Sequence, residues 1–201
     1  MIDIGLHGRV VLVSGATRGV GCAAARLFAA AGAWVAVNYR ADLHGAKVLV
    51  DTIRSAGGCA LLAPGDVRTA AGAWTVARYV EHEWGQIDVL LHAAAPIGSD
   101  ESAADARPLL AELAPGMRAR GWGRVVILGE AGTTISGRAL AVQWGAPGLL
   151  VNVLLIATGD RPEGLDEALA RAMLFLGSAW NSDLTGATLD VPVTLVDQQI
   201  P

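Results

Sequence analysis

The stretch Ser14-Gly15-Ala16-Thr17-Arg18-Gly19-Val20-Gly21 has the residue types and spacing best suited to binding chemistry. It follows the apolar run Val10 to Val13 and opens an amphipathic run that ends at Gly32, the pattern of a strand turning abruptly into a helix. Such a turn leaves the first N–H groups of the helix without partners, and a phosphate or pyrophosphate satisfies them. Gly15 permits the tight turn, while Gly19 and Gly21 remove side chains where a ligand and the facing strand come close. Two titratable groups, His92 and Glu130, stand where strands are predicted to end. Either could move a proton. Glu130, flanked by Leu128, Gly129 and Ala131, reads as an acid or base or as a solvated loop glutamate.

The elements that must position these residues alternate regularly. Val20, Ala24, Leu27, Phe28 and Ala31 recur at helix spacing, and Gly32 stands in the usual position just past a helix end. Ala33 to Tyr39 reads as a buried strand ending in Arg40, and a helix from about Asp42 to Ala56 stops at Gly57-Gly58. A third strand, Cys59 to Ala63, leads through Gly65-Asp66-Val67 to a helix with Ala73, Val76, Ala77, Val80 and Trp84 on one face. Ile87 to His92 is a fourth strand. Ala103 to Arg120 reads as a helix interrupted by Pro108 and Pro115. Strand Gly123 to Leu128, a brief helix Gly137 to Trp144, strand Leu149 to Ile156, helix Glu163 to Phe175 and strand Thr188 to Val193 follow. This βαβα rhythm without hairpin signals predicts an α/β fold: one doubly wound parallel sheet of about seven strands with helices on both faces. Ligands of such a sheet bind beyond the carboxyl ends of its strands, where strand order reverses. The segments to watch are therefore 14–21, 38–40, Asp66, 92–95, 128–133 and 156–160.

Composition narrows the function classes. The 201 residues, 53% hydrophobic, suffice for one sizeable core and suggest a single domain over 1–201. A net charge of −4 without a basic cluster points away from nucleic acid and acidic membrane surfaces and toward a small-molecule substrate. The two cysteines, Cys22 and Cys59, offer no disulfide framework and are expected to be buried thiols. Four scattered histidines show no metal-ligand spacing. The residues Met1 to Gly8 lack the pattern of a secretion signal and no apolar run approaches transmembrane length, so a cytoplasmic location is expected.

The segments SGATRGVG (14–21), VNYR (37–40), AGG (56–58), GDV (65–67) and GQIDVLLHAAA (85–95) occur in the order of a known family. So do GRVVILGEAG (123–132), ALAVQWGAPGLLVNVL (139–154) and FLGSAWNSDLTGATLDV (175–191). On these motifs, nearly end to end, the chain resembles a short-chain dehydrogenase/reductase, most similar to bacterial 3-oxoacyl-(acyl carrier protein) reductases. The resemblance implies a dinucleotide cofactor cradled at its pyrophosphate by Gly15, Gly19 and Gly21. Asp66 would bond the adenine amine and Ala94 would lie against the adenine ribose, with further contacts from Thr17, Val20, Tyr39, Val67 and Ala93. Arg18 and Arg40 would take the extra phosphate of NADP(H), favouring it over NAD(H), or else are ordinary surface charges.

The catalytic half departs from the family pattern of a serine after the fifth strand, a Tyr-x-x-x-Lys pair and a helix asparagine. Glu130 stands at the serine position. No Tyr-x-x-x-Lys occurs, for the only tyrosines are Tyr39 and Tyr79 and the only lysine is Lys47. The segment Thr133 to Arg138 is too short for the usual helix start, no asparagine lies between Ala95 and Gly123, and Ile156-Ala157 replaces the usual Pro-Gly. Thr133, Thr158 and Asp160 could orient a ligand or serve as turn residues. The fourth and fifth helices, which form the family's dimer interface, are shortened, so a homo-oligomer is expected to use a non-standard interface. Trp122, Trp144 and Trp180 either fill the core there or face a partner or apolar substrate. Two functions fit. One is an enzyme of small-molecule biosynthesis, of specialised-metabolite or polyketide-like type, binding NADP(H) and performing an unusual reduction or a cyclisation, dehydration or isomerisation. The other is a catalytically inactive NADP(H)-binding sensor or structural partner.

Overall fold

β-Branched and leucine-rich runs form strands, and the amphipathic runs between them form the helices that cover both faces. The computed structural model describes residues 3–93, 102–131, 136–156 and 162–191. In chain order the elements are β1 (Val10–Ser14), α1 (Gly19–Ala30), β2 (Trp34–Tyr39), α2 (Leu43–Ser55), β3 (Cys59–Pro64), α3 (Ala70–Trp84), β4 (Val89–His92), α4 (Ser102–Arg120), β5 (Gly123–Glu130), α5 (Gly137–Trp144), β6 (Leu149–Ile156), α6 (Leu165–Gly177) and β7 (Thr188–Val191). The strands lie parallel in one seven-stranded sheet of order β3-β2-β1-β4-β5-β6-β7. Both faces are buried, which is why the strands read as continuous apolar runs rather than alternating ones. Val11 and Val13 of β1 join the layer of α1, α2 and α6, and Val10 and Leu12 the layer of α3, α4 and α5. Among the described residues no helix is long and apolar enough to cross a membrane.

Local chemistry sets the helix starts. Asp42 caps α2 by accepting from the Gly45 N–H at 2.9 Å, and Thr69 caps α3 by accepting from Gly72 at 3.0 Å. α1 and α6 pack closely: a Cβ on Gly177 would lie 2.7 Å from the Phe28 ring.

Three expectations change. α4 is continuous through Pro108 and Pro115. Each interior proline costs on the order of 3 kcal/mol, but Ala106, Leu109, Leu110, Leu113, Ala114 and Met117 are all buried in one core layer, and that burial holds the helix together. The cysteines are not both buried. Cys59 is exposed because it begins the edge strand β3, and Cys22 is half-buried on α1, where burial pushes its thiol pKa up. The tryptophans divide: Trp122 stacks with the Arg9 and Arg124 guanidiniums at 4.0 and 4.6 Å, Trp144 packs on the second core layer, and Trp180 remains exposed with its Nε1 donating to the Asp3 carbonyl at 3.2 Å.

Candidate functional site

Chain order runs outward from β1 to β3 and resumes on the other side at β4, so strand order reverses between β1 and β4. At their carboxyl ends Ser14 and His92 stand in register, both fully buried, with Ser14 Oγ 2.7 Å from His92 Nδ1. The Ala93 N–H donates to the Ser14 carbonyl at 3.0 Å. These contacts make the floor of the crevice.

The turn after β1 sits above this floor. Gly15 and Gly19 adopt φ of +70° and +56°, which side-chain-bearing residues rarely take. A Cβ on Gly21 would overlap the Gly15 carbonyl, so α1 can begin this close to β1 only with glycine there. Arg18 precedes the helix with extended backbone and offers no side-chain cap, and the first turn of α1 contains no acid. Val20 is buried behind the turn. From the other side the first turn of α6 brings in Asp166, whose Oδ2 would lie 3.6 Å from a Cβ on Gly19.

A second cluster forms at the ends of β2 and β3. The buried Asn38 donates to the Ala63 and Gly65 carbonyls at 2.8 and 3.1 Å, and Gly65 N–H donates to the Tyr39 carbonyl at 3.0 Å. They fasten Arg40 and the Asp66 turn to one another's strands. Arg40 Nη1 lies 3.7 Å from Asp66 Oδ2, and Arg68 grips the same carboxylate through Nε and Nη2 at 2.8 and 2.7 Å. Val67 turns into the core. Nearby, the Gly45 N–H and then the Thr17 hydroxyl hold the Asp42 carboxyl below its usual value of 3.8, with His44 and Arg18 adding a smaller electrostatic pull. Thr17 and Arg18 thus act on Asp42 at the start of α2, while Arg40 meets Asp66 beyond the ends of β2 and β3.

Glu130 and His92 do not share one mouth. They end neighbouring strands, but His92 is opposite Ile127 of β5, and Glu130 lies three residues further along, about 10 Å at strand rise. Glu130 is half-buried at the rim opposite Ile156, whereas His92 is enclosed in the floor. Ala94, Thr133, Thr158 and Asp160 lie outside the described residues.

Sequence reasoning missed Asp42, Arg68 and Asp166. The Asp42-x-x-Gly45 spacing is a readable cap signal, and Arg68 two residues past Asp66 is a readable turn partner. Asp166 reaches Gly19 across 147 residues of sequence, numbers 19 to 166, and no local signal announces that contact.

The family model described as Enoyl-(Acyl carrier protein) reductase matches residues 15–126. An uncharacterized oxidoreductase of Methylorubrum extorquens is 38% identical over 87 residues, 43% of this chain and 35% of that protein. A probable tetrahydroxynaphthalene reductase of Zymoseptoria tritici is 36% identical over 85 residues, 42% of this chain and 32% of that one. The chain thus spans about a third of the length of these curated relatives. The crystal structure of a gluconate 5-dehydrogenase from Burkholderia cenocepacia in complex with NADP and tartrate shares the fold, with a TM-score of 0.77 at 24% identity over 98% of each chain.

Proposed function

The chain belongs to the short-chain dehydrogenase/reductase superfamily, and on that footing we propose that it is a cytoplasmic enzyme acting on a small molecule with NADP(H) held at the β1–β4 switch point. The observation that carries this reading is the α1 N-terminus, which has no side-chain cap of its own and stands behind the Gly15–Gly19 turn, and the pairing of Arg40 with Asp66 beyond β2 and β3 supports it. These residues fit a dinucleotide. Gly15, Gly19, Val20 and Gly21 would hold the pyrophosphate on backbone N–H groups. Asp66, Tyr39 and Val67 would hold the adenosine, with Ala93 and Ala94 beside it, and Thr17, Arg18 and Arg40 the 2′-phosphate. The Burkholderia structure holds NADP, and the Zymoseptoria relative is named for a tetrahydroxynaphthalene, which supports a nicotinamide cofactor and a specialised-metabolite substrate class.

Reduced nicotinamide, when bound, supplies hydride. Glu130, at the end of β5, would hold and deliver the matching proton, and His92, against the Ser14 hydroxyl, would orient it. The same carboxyl group would serve a cyclisation, dehydration or isomerisation. Copies of the chain would associate through a changed α5 face, where Val142 is 82% exposed.

A second reading is a binding protein without turnover, favoured by the absence of Tyr-x-x-x-Lys and the enclosure of His92. Titration with NADPH and NADH, followed by nicotinamide fluorescence or calorimetry, tests both. Micromolar NADPH binding, weaker for NADH, is expected, and no binding of either would overturn the cofactor assignment. Turnover of a carbonyl panel that falls about 100- to 10,000-fold in Glu130→Gln identifies the enzyme. Binding with no turnover identifies the sensor.

A further inference from the structure

Arg68 is a charged residue of this rim to which the cofactor reading gives no task, and it is the cation bound most closely to Asp66. It stands in the turn between β3 and α3, and that turn is built around Asp66. The Arg68 backbone N–H donates to Asp66 Oδ1 at 3.2 Å, and the Thr69 hydroxyl donates to the Asp66 carbonyl at 3.1 Å before capping α3. The Arg68 guanidinium then takes both carboxylate oxygens, Nε to Oδ1 at 2.8 Å and Nη2 to Oδ2 at 2.7 Å. This is the bidentate geometry in which a planar guanidinium fixes a carboxylate most firmly.

Arg40 meets the same carboxylate differently. Its Nη1 is 3.7 Å from Oδ2, within ion-pair range and beyond hydrogen-bond range. Its side chain is 59% exposed, against 41% for Arg68 and 31% for Asp66. Arg40 is therefore the looser and more available of the two cations. A carboxylate this close to a phosphate-binding arginine competes with the phosphate for that arginine and repels the phosphate itself. The interaction of two charges a few ångströms apart is stronger beside a protein surface than in bulk water, so such a carboxylate weighs against a phosphorylated ribose. A fixed counter-charge on Asp66 removes most of that competition.

We propose that Arg68 is a specificity-determining positioning residue: by neutralising and orienting Asp66 it leaves Arg40 free for the 2′-phosphate of the dinucleotide. The inference rests on the NADP(H) reading. Arg68 touches the ligand only through Asp66. Its effect is a selective one, because a 2′-hydroxyl carries no charge for an exposed Asp66 to repel.

The test is calorimetric titration of the full chain with NADPH and with NADH, in the wild type, Arg68→Gln, Arg68→Lys and the double variant Asp66→Asn/Arg68→Gln, with thermal melts to confirm folding. The wild type is expected to prefer NADPH. Arg68→Gln should weaken NADPH about tenfold, which corresponds to about 1.4 kcal/mol, while NADH changes much less. Arg68→Lys keeps the charge and should retain most of the preference. Removing the carboxylate in the double variant should restore the NADPH-to-NADH ratio, a recovery that a purely structural role in the turn would not produce. Equal weakening of both ligands in Arg68→Gln, or no change in their ratio, overturns the assignment. A wild type that binds neither ligand overturns the cofactor reading, and Arg68 with it, so the two failures are told apart by the first titration.

Discussion

Asp166 is the side chain that presents a negative charge where an anionic ligand would bind. Its Oδ2 would lie 3.6 Å from a Cβ on Gly19, so the first turn of α6 presents a carboxylate to the end of α1 that is electropositive. That contact favours the protein without an anionic ligand and opposes one with it. Asp166→Asn is expected to tighten dinucleotide binding about two- to fivefold, matching the 0.3–1 kcal/mol typical of a charge at a helix end. A calorimetric titration that shows weaker binding instead would mean that the carboxylate holds the site open. Arg40 gives the opposite sign. Arg40→Glu should weaken NADPH by about tenfold or more, because a charge-assisted bond to phosphate is lost and a repulsion gained. Unchanged affinity would remove Arg40 from the phosphate site. Of these residues, Arg40 was legible because it ends an apolar run directly, whereas the place of Asp166 depends on how two distant helices pack.

At the scale of elements, the turn from β1 into α1 is a joint with no room for a side chain. Gly21→Ala would push a methyl group into the Gly15 carbonyl. The expected cost is about 1–3 kcal/mol from overpacking, seen as a lower melting temperature together with loss of dinucleotide binding. A variant as stable as the wild type would show that the turn can yield. The start of α2 answers to pH. Asp42 caps it, and its pKa in the folded chain lies below the ordinary 3.8, first through the Gly45 N–H and next through the Thr17 hydroxyl. A carboxyl group with a depressed folded value contributes stability above its unfolded value and loses it as the pH falls through the folded one. Melting curves between about pH 5 and pH 3 should therefore fall more steeply for the wild type than for Asp42→Asn, which keeps a capping oxygen without the titration. Parallel curves would show that the cap contributes nothing that titrates. Helix α4 teaches the limit of local rules: two prolines predict a break, and a buried face of six apolar residues keeps one helix.

For the whole molecule, ligand binding and stability are one equilibrium. A ligand at a hundred times its dissociation constant adds about 2.7 kcal/mol. At about 2–4 °C per kcal/mol for a chain of this size, saturating NADPH should raise the melting temperature by about 5–11 °C and NADH by less. No shift with NADPH would contradict binding at the β1–β4 crevice. The sequence by itself determined the order and kind of the elements, the parallel sheet and the phosphate-type turn, because hydrophobic period, glycine spacing and strand-to-helix punctuation are local properties of the chain. It also put Arg40 and Asp66 just past neighbouring strands, where a parallel sheet brings the two side chains within ion-pair range. Only the tertiary structure decided that His92 is enclosed against Ser14 while Glu130 stands about 10 Å further out, since that depends on the register between β4 and β5. It alone decided that Arg40 of the neighbouring strand reaches the Asp66 that Arg68 already holds, and that Asp166 faces Gly19. Those are relations of distance between side chains, and neither residue type nor spacing fixes such a distance until the layers have packed.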